Sequence, residues 1–135
     1  MRGAQAYQAI ALDTTPRHRL VEVVLERAIA HIARAEEAIA RRDPATAHDG
    51  LMRAQMALGA LRTSLRREVA PELVDQLAAL YTYGIDRLTA ANVRKDASEL
   101  GALRRMLDVL REAFADAARQ AGAGGAGPTA EVKGR

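Results

Sequence analysis

The chain has 135 residues, no cysteine and a formal net charge of +3, which points to one domain and excludes a disulfide framework, a thiolate metal site and a cysteine nucleophile. The sequence pI of about 9.8 is one footprint of a nucleic-acid binder, but the basic residues are interleaved with acids. Aromatic residues make up only 3% of the chain, which leaves few platforms for base stacking.

The start, Met1-Arg2-Gly3-Ala4-Gln5, carries one positive charge without a hydrophobic stretch after it, and Asp13 interrupts the region early. A secretory signal is not expected. No apolar run is long enough to span a bilayer, and the lack of cysteine fits a reducing compartment. The expected location is cytoplasmic, with no membrane insertion.

Residues 1–14 read as a short arm holding Tyr7, Ile10 and Leu12. A first helix is predicted to begin near Thr15-Pro16, where Thr15 can cap and Pro16 suits the first helical position. Its apolar stripe is Val21, Leu25, Ala28, Ile32, Ala35 and Ile39. A second helix begins at Asp43-Pro44, the same cap-plus-proline signal, with the stripe Ala47, Leu51, Ala54, Leu58, Leu61 and Leu65. A third runs from about Pro71 to Asn92 with Leu73, Leu77, Leu80, Gly84, Leu88 and Ala91, widened by Val74, Tyr81 and Ile85. A fourth is predicted to begin at Asp96, which has capping-box spacing to Glu99. Its stripe is Leu100, Leu103, Leu107, Leu110, Phe114 and Ala117. Residues 121–135, rich in glycine and alanine, read as a flexible, disordered tail.

None of the segments shows period-two alternation. Four helices of roughly 22–26 residues, about 33–39 Å long, joined by short connections must run antiparallel. The expected fold is all-α: an up-down-up-down four-helix bundle over residues 15–120, with an N-terminal arm and a C-terminal tail.

The sequence offers little for chemistry. His18, His31 and His48 are the three histidines, no two of them one helical turn apart, so no metal site is expected. The Glu-x-x-His of di-iron bundles does not occur. Arg41-Arg42, Arg66-Arg67 and Arg94-Lys95 each fall at a predicted helix end, where cations complement the dipole by about 0.3–1 kcal/mol each. The same pairs could meet phosphates, but at opposite ends of a bundle they do not make a nucleic-acid surface. A P-loop and a nucleophile elbow are both missing. No catalytic residue and no cofactor are expected.

One positive signal remains. The first and third helices carry more apolar residues than the three-sevenths a bundle face needs. Leu20, Val23, Val24 and Ile29 add to the first stripe, and Tyr83 adds to the third. An alanine-diluted core explains the surplus as well as a groove for a partner helix does.

Three segments carry a resemblance to a known family. They are Ala6-Tyr7-Gln8 followed by Thr14-Thr15-Pro16 and Leu20-Val21; Ala35-Glu36-Glu37-Ala38-Ile39 followed by Ala54-Gln55; and Leu80-Tyr81-Thr82-Tyr83-Gly84-Ile85-Asp86-Arg87-Leu88 leading to Ala91-Asn92 and Lys95-Asp96. In this order and spacing the chain, over about residues 4–117, resembles the FliS family of flagellin-specific chaperones of flagellar type III export. The departures are Leu25-Glu26-Arg27 where the family often has Tyr-Asp-Gly, and Gly84 where a bulky residue is common.

The resemblance implies a non-enzymatic chaperone in an antiparallel bundle. Its client would be the C-terminal helical segment of unassembled flagellin, kept from premature polymerisation and delivered to the flagellar export gate. The expected contact residues are Tyr7 and Ile10 on the arm, Leu20 and Val24 on the first helix, and Tyr81, Tyr83, Ile85, Leu88 and Asn92 on the third. Leu58 and Leu61 are expected in the core, and Gly84 is expected to open a notch beside Tyr81 and Leu88. A helical adaptor for another export protein and a basic nucleic-acid-binding bundle are the competing readings.

Overall fold

The computed structural model describes the backbone of residues 2–68 and 70–126, and the side chains of residues 17–68 and 70–120. Four helices follow one another: α1 (Arg2–Ala40), α2 (Pro44–Thr63), α3 (Pro71–Arg94) and α4 (Leu100–Ala126). The fold is all-α, and no strand occurs among the described residues.

The helix starts show which local signals held. The Asp43 carboxylate accepts the Thr46 N–H at 3.2 Å, with Pro44 in the first turn. This is the cap read from the sequence. Pro71 likewise opens α3.

Two starts differ from expectation. α1 is continuous from Arg2 through Pro16. A proline deletes one helical hydrogen bond, and the alanines at positions 4, 6, 9 and 11 favour helix on its N-terminal side. Asp96 does not start α4. It accepts the Ser98 N–H at 2.9 Å, a tight turn that spends the carboxylate before Glu99, and α4 opens at Leu100. At its far end α4 continues to Ala126, into the segment expected as tail, because alanine sustains helix between the glycines. Residues 127–135 of that tail lie outside the described residues.

The described residues form two compact units, residues 24–109 and residues 2–23 with 110–126. Within residues 24–109 four helical segments surround one apolar core. Leu25, Ala28, Ile32, Ala35 and Ala38 of α1 are buried with Leu51, Ala54, Leu58 and Leu61 of α2, Tyr81 and Leu88 of α3, and Leu100, Leu103 and Leu107 of α4. Each fully buried leucine contributes roughly 1.5–3 kcal/mol.

Neighbouring helices run antiparallel. Along α2 and α3, Arg62 bonds Thr82, Gln55 bonds Thr89 and His48 meets Asn92. Along α3 and α4, Gly84 lies against Leu103 and Arg87 against Glu99. α1 joins α4 where the Arg104 guanidinium grips both oxygens of Glu36, a two-point geometry that fixes orientation as well as charge. Both leucines expected in the core, Leu58 and Leu61, are there, at 0% and 5% exposure.

The other unit is built from the first turns of α1 and the last turns of α4. Glu22 is buried and held by Arg19 at 2.9 Å and Arg111 at 3.9 Å. The His18 ring meets Phe114 edge-on, with centroids 5.7 Å apart.

Candidate functional site

Two contacts identify the flank of α3 that faces α4. Arg87 reaches Glu99, and Gly84 faces Leu103, whose Cδ1 would lie 3.6 Å from a Cβ at residue 84. One turn earlier on the same flank lie Tyr83 (four before Arg87) and Leu80 (four before Gly84), with Leu73 seven residues further back. On α4, Met106 follows Leu103 by three residues and Val109 follows Met106 by three, which keeps them on one side of that helix. Leu73 is 53% exposed, Tyr83 52% and Val109 69%, while Leu80 and Met106 are half-buried. These side chains make an apolar groove between α3 and α4 within residues 24–109.

Arg87 marks the groove's polar end. Its guanidinium bonds Glu99 at 3.0 Å and sits 5.7 Å from the centroid of the Tyr83 ring. Beyond it the 95–99 connection closes the groove around a concavity of about 410 Å³, lined by Arg87, Ala90, Ala91, Val93, Arg94, Asp96, Ser98 and Glu99.

The residues expected to contact a partner are placed differently from one another. Tyr83 stands in solvent, as does Leu20, at 62% exposure. Val24 and Ile85 are half-buried. Tyr81 and Leu88 are core, at 1% and 0% exposure. They lie beneath the surface of α3, and burial pushes the Tyr81 hydroxyl up to about 12.

Asn92 is spent internally. Its amide nitrogen meets His48 Nδ1 at 3.0 Å and its oxygen accepts Lys95 Nζ at 2.7 Å. Tyr83 and Ile85, two positions apart on a helix, point about 200° apart, so one groove does not hold both. Tyr7 and Ile10 have side chains outside the described residues.

Sequence reasoning missed several exposed apolar side chains. Leu73 was read as core. Val109, Met52, Met56 and Val93 lay off every stripe, yet they are 69%, 38%, 68% and 80% exposed. The signal for them is an apolar residue outside the main periodicity. The notch expected at Gly84 is filled, because Leu58 occupies it.

The cationic pairs have local uses. Arg41 pairs with Asp43 at 3.8 Å, Arg67 with Asp75, and Lys95 caps the Asn92 carbonyl. Among the described residues no group of three His, Cys, Asp or Glu side chains could hold a metal ion, and no helix is long and apolar enough to cross a membrane.

A family model described as flagellar protein FliS matches residues 1–121. The flagellar secretion chaperone FliSB of Pseudomonas aeruginosa is 30% identical over 112 residues, 79% of this chain and 88% of that protein. The flagellar secretion chaperone FliS of Salmonella typhimurium is 26% identical over 117 residues, 83% of this chain and 87% of that protein.

Proposed function

The chain belongs to the FliS family of flagellar secretion chaperones, and on that premise we propose that it binds the C-terminal helical segment of unassembled flagellin in the groove between α3 and α4. It thereby keeps flagellin from polymerising in the cytoplasm and supports its delivery to the export gate. It does so by binding alone, without catalysis, cofactor or nucleic acid.

The observation that carries this reading is the row of large apolar side chains left in solvent along one groove, Leu73, Tyr83 and Val109. An amphipathic helix buries such a row by laying its own apolar face along it. Leu20 is a second contact, on the first turns of α1. Val24 and Ile85 contribute their exposed edges outside that groove, Ile85 on the flank of α3 away from Tyr83, and Tyr7 and Ile10 complete the contact set. Tyr81, Leu88 and Asn92 hold α3 in place under the client. A client that folds on binding gives up roughly 2–5 kcal/mol of the gross interaction, which keeps the complex releasable at the export gate.

Calorimetric titration with full-length monomeric flagellin, and with flagellin lacking its C-terminal helical segment, tests this. Saturable binding with a large negative heat-capacity change, lost on truncation, is expected. A folded protein that binds neither form would move the function to a different export client.

A further inference from the structure

The groove between α3 and α4 runs into a concavity at the 95–99 connection. Antiparallel neighbours are joined by the 95–99 connection, so a chain lying along Tyr83 toward Arg87 must stop there. Its lining is mixed: apolar at Ala90, Ala91 and Val93, and polar at Arg87, Arg94, Asp96, Ser98 and Glu99.

Most of this charge is already engaged. Asp96 accepts the Ser98 N–H at 2.9 Å, and Glu99 accepts Arg87 Nη1 at 3.0 Å. Arg94 is different. It is exposed and donates no hydrogen bond within the described residues, and its charge acts through space on the Asp96 carboxyl, helping to hold it below its ordinary value. Its position in the last turn of α3 suggests service to the helix dipole, but Lys95 already does that work. The Lys95 ammonium bonds the Asn92 carbonyl at 2.7 Å, and the Lys95 N–H closes on Ala91 O. The pocket therefore holds the Arg94 guanidinium, without a hydrogen-bond partner, beside Ala90 and Ala91, and Arg87 Nε is a second donor there without a partner.

We propose that this pocket anchors the free C-terminal carboxylate of the client chain through Arg94, with the client's last apolar side chain on Ala90 and Ala91. This rests on the flagellin-binding reading above and adds the direction in which the client lies: its C-terminus points toward the 95–99 connection. A chain terminus fits better than an acidic side chain in mid-helix, because the connection blocks any continuation. The carboxyl end of a helix also carries the negative end of its dipole, and guanidinium forks match carboxylates in geometry.

The test uses a synthetic peptide of flagellin's C-terminal helical segment, made once as the free acid and once as the C-terminal amide. Dissociation constants are measured by fluorescence anisotropy against the full chain and its Arg94→Gln variant, both verified as helical by circular dichroism. The wild-type chain is expected to bind the acid about tenfold more tightly than the amide. Arg94→Gln should bring the acid down to the amide's affinity and leave the amide unchanged. Equal binding of acid and amide by the wild type would overturn the anchor while leaving flagellin binding intact, as would an acid preference that survives in Arg94→Gln. Equal weakening of both peptides by the variant would also overturn it, and would assign Arg94 to a side-chain carboxylate. Binding of neither peptide would sink the flagellin reading and this inference together.

Discussion

Leu58 occupies the space that a side chain at residue 84 would need: a Cβ built on Gly84 would lie 2.7 Å from Leu58 Cδ1 and 3.6 Å from Leu103 Cδ1. The glycine is what lets α2 approach α3 here, whereas the distance to Leu103 of α4 is an ordinary contact. Alanine at residue 84 would gain about 1 kcal/mol of helix propensity. Against that, Leu58 is fully buried, so its methyl has nowhere open to swing, and overpacking costs about 1–3 kcal/mol. Gly84→Ala is expected to destabilise by about 1 kcal/mol net. In a Leu58→Ala background the same change should become stabilising. Urea denaturation of the four chains of this cycle checks the sign reversal. A Gly84→Ala effect that is the same in both backgrounds would break the link between the two residues.

The two glycines of α2 set the scale. A Cβ on Gly50 would lie 2.9 Å from the His31 carbonyl oxygen and 3.3 Å from Ala35 Cβ. The first of these is backbone and cannot rotate away, so α1 and α2 would have to separate. Gly50→Ala should cost roughly 2–3 kcal/mol, more than Gly84→Ala. A Cβ on Gly59 meets nothing within 4 Å, so Gly59→Ala should stabilise by about 0.5–1 kcal/mol. Thermal midpoints should rank Gly59→Ala above wild type, then Gly84→Ala, then Gly50→Ala. Any other order would sink the packing argument.

Much of the fold was legible because its signals are local. Asp43 and Pro44 sit next to each other in sequence and act on the same helical turn. The middle of each stripe is buried as read, Leu25 to Ala35 on α1 and Ala47 to Leu61 on α2, while Val21, Ile39 and Leu65 at the stripe ends are half-buried and Leu65 lies past the end of α2; a stripe's existence depends only on spacing. What spacing does not fix is how far each helix is rotated toward its neighbours. Tyr81 and Tyr83 are the same residue type two positions apart. Sequence alone ranked both as contacts, and only the packing of α3 against α2 and α4 puts one in the core and the other in solvent. Leu73 fits the stripe but lies in the first turn of α3, where it is 53% exposed. Asp96 and Glu99 have the right spacing for a cap, but Ser98 takes the carboxylate first.

That division of Tyr81 from Tyr83 predicts two separable phenotypes. Tyr81→Ala empties a fully enclosed site and should cost about 3–5 kcal/mol in stability. Tyr83→Ala loses an exposed ring and its Arg87 contact, a change of no more than about 1 kcal/mol. Its effect belongs on binding: affinity for the flagellin C-terminal segment should drop about tenfold or more, as expected for an aromatic anchor. Paired unfolding and titration experiments separate the two. A Tyr83→Ala variant that binds normally would remove the groove between α3 and α4 from the contact surface.

The histidines make stability depend on pH, one in each compact unit. His18 is held below its ordinary value of 6.5 first by burial and then by the Arg17 charge, with a backbone hydrogen bond at Ala117 opposing. His31 is lowered from the same value first by burial, then by Arg34, Arg53 and Arg27, with Asp49 opposing. In both cases the unfolded chain takes up the proton more readily than the folded one, so stability rises with pH across this range. The contribution is fully present above 6.5 and is lost as pH falls from there toward the lowered folded values. Each histidine can add at most about 1.4 kcal/mol per pH unit to that slope. Urea midpoints measured from pH 7.5 down to 5.5 should therefore fall, and His18→Gln and His31→Gln should each flatten part of the decline. A slope that neither variant changes would place the sensitive group elsewhere.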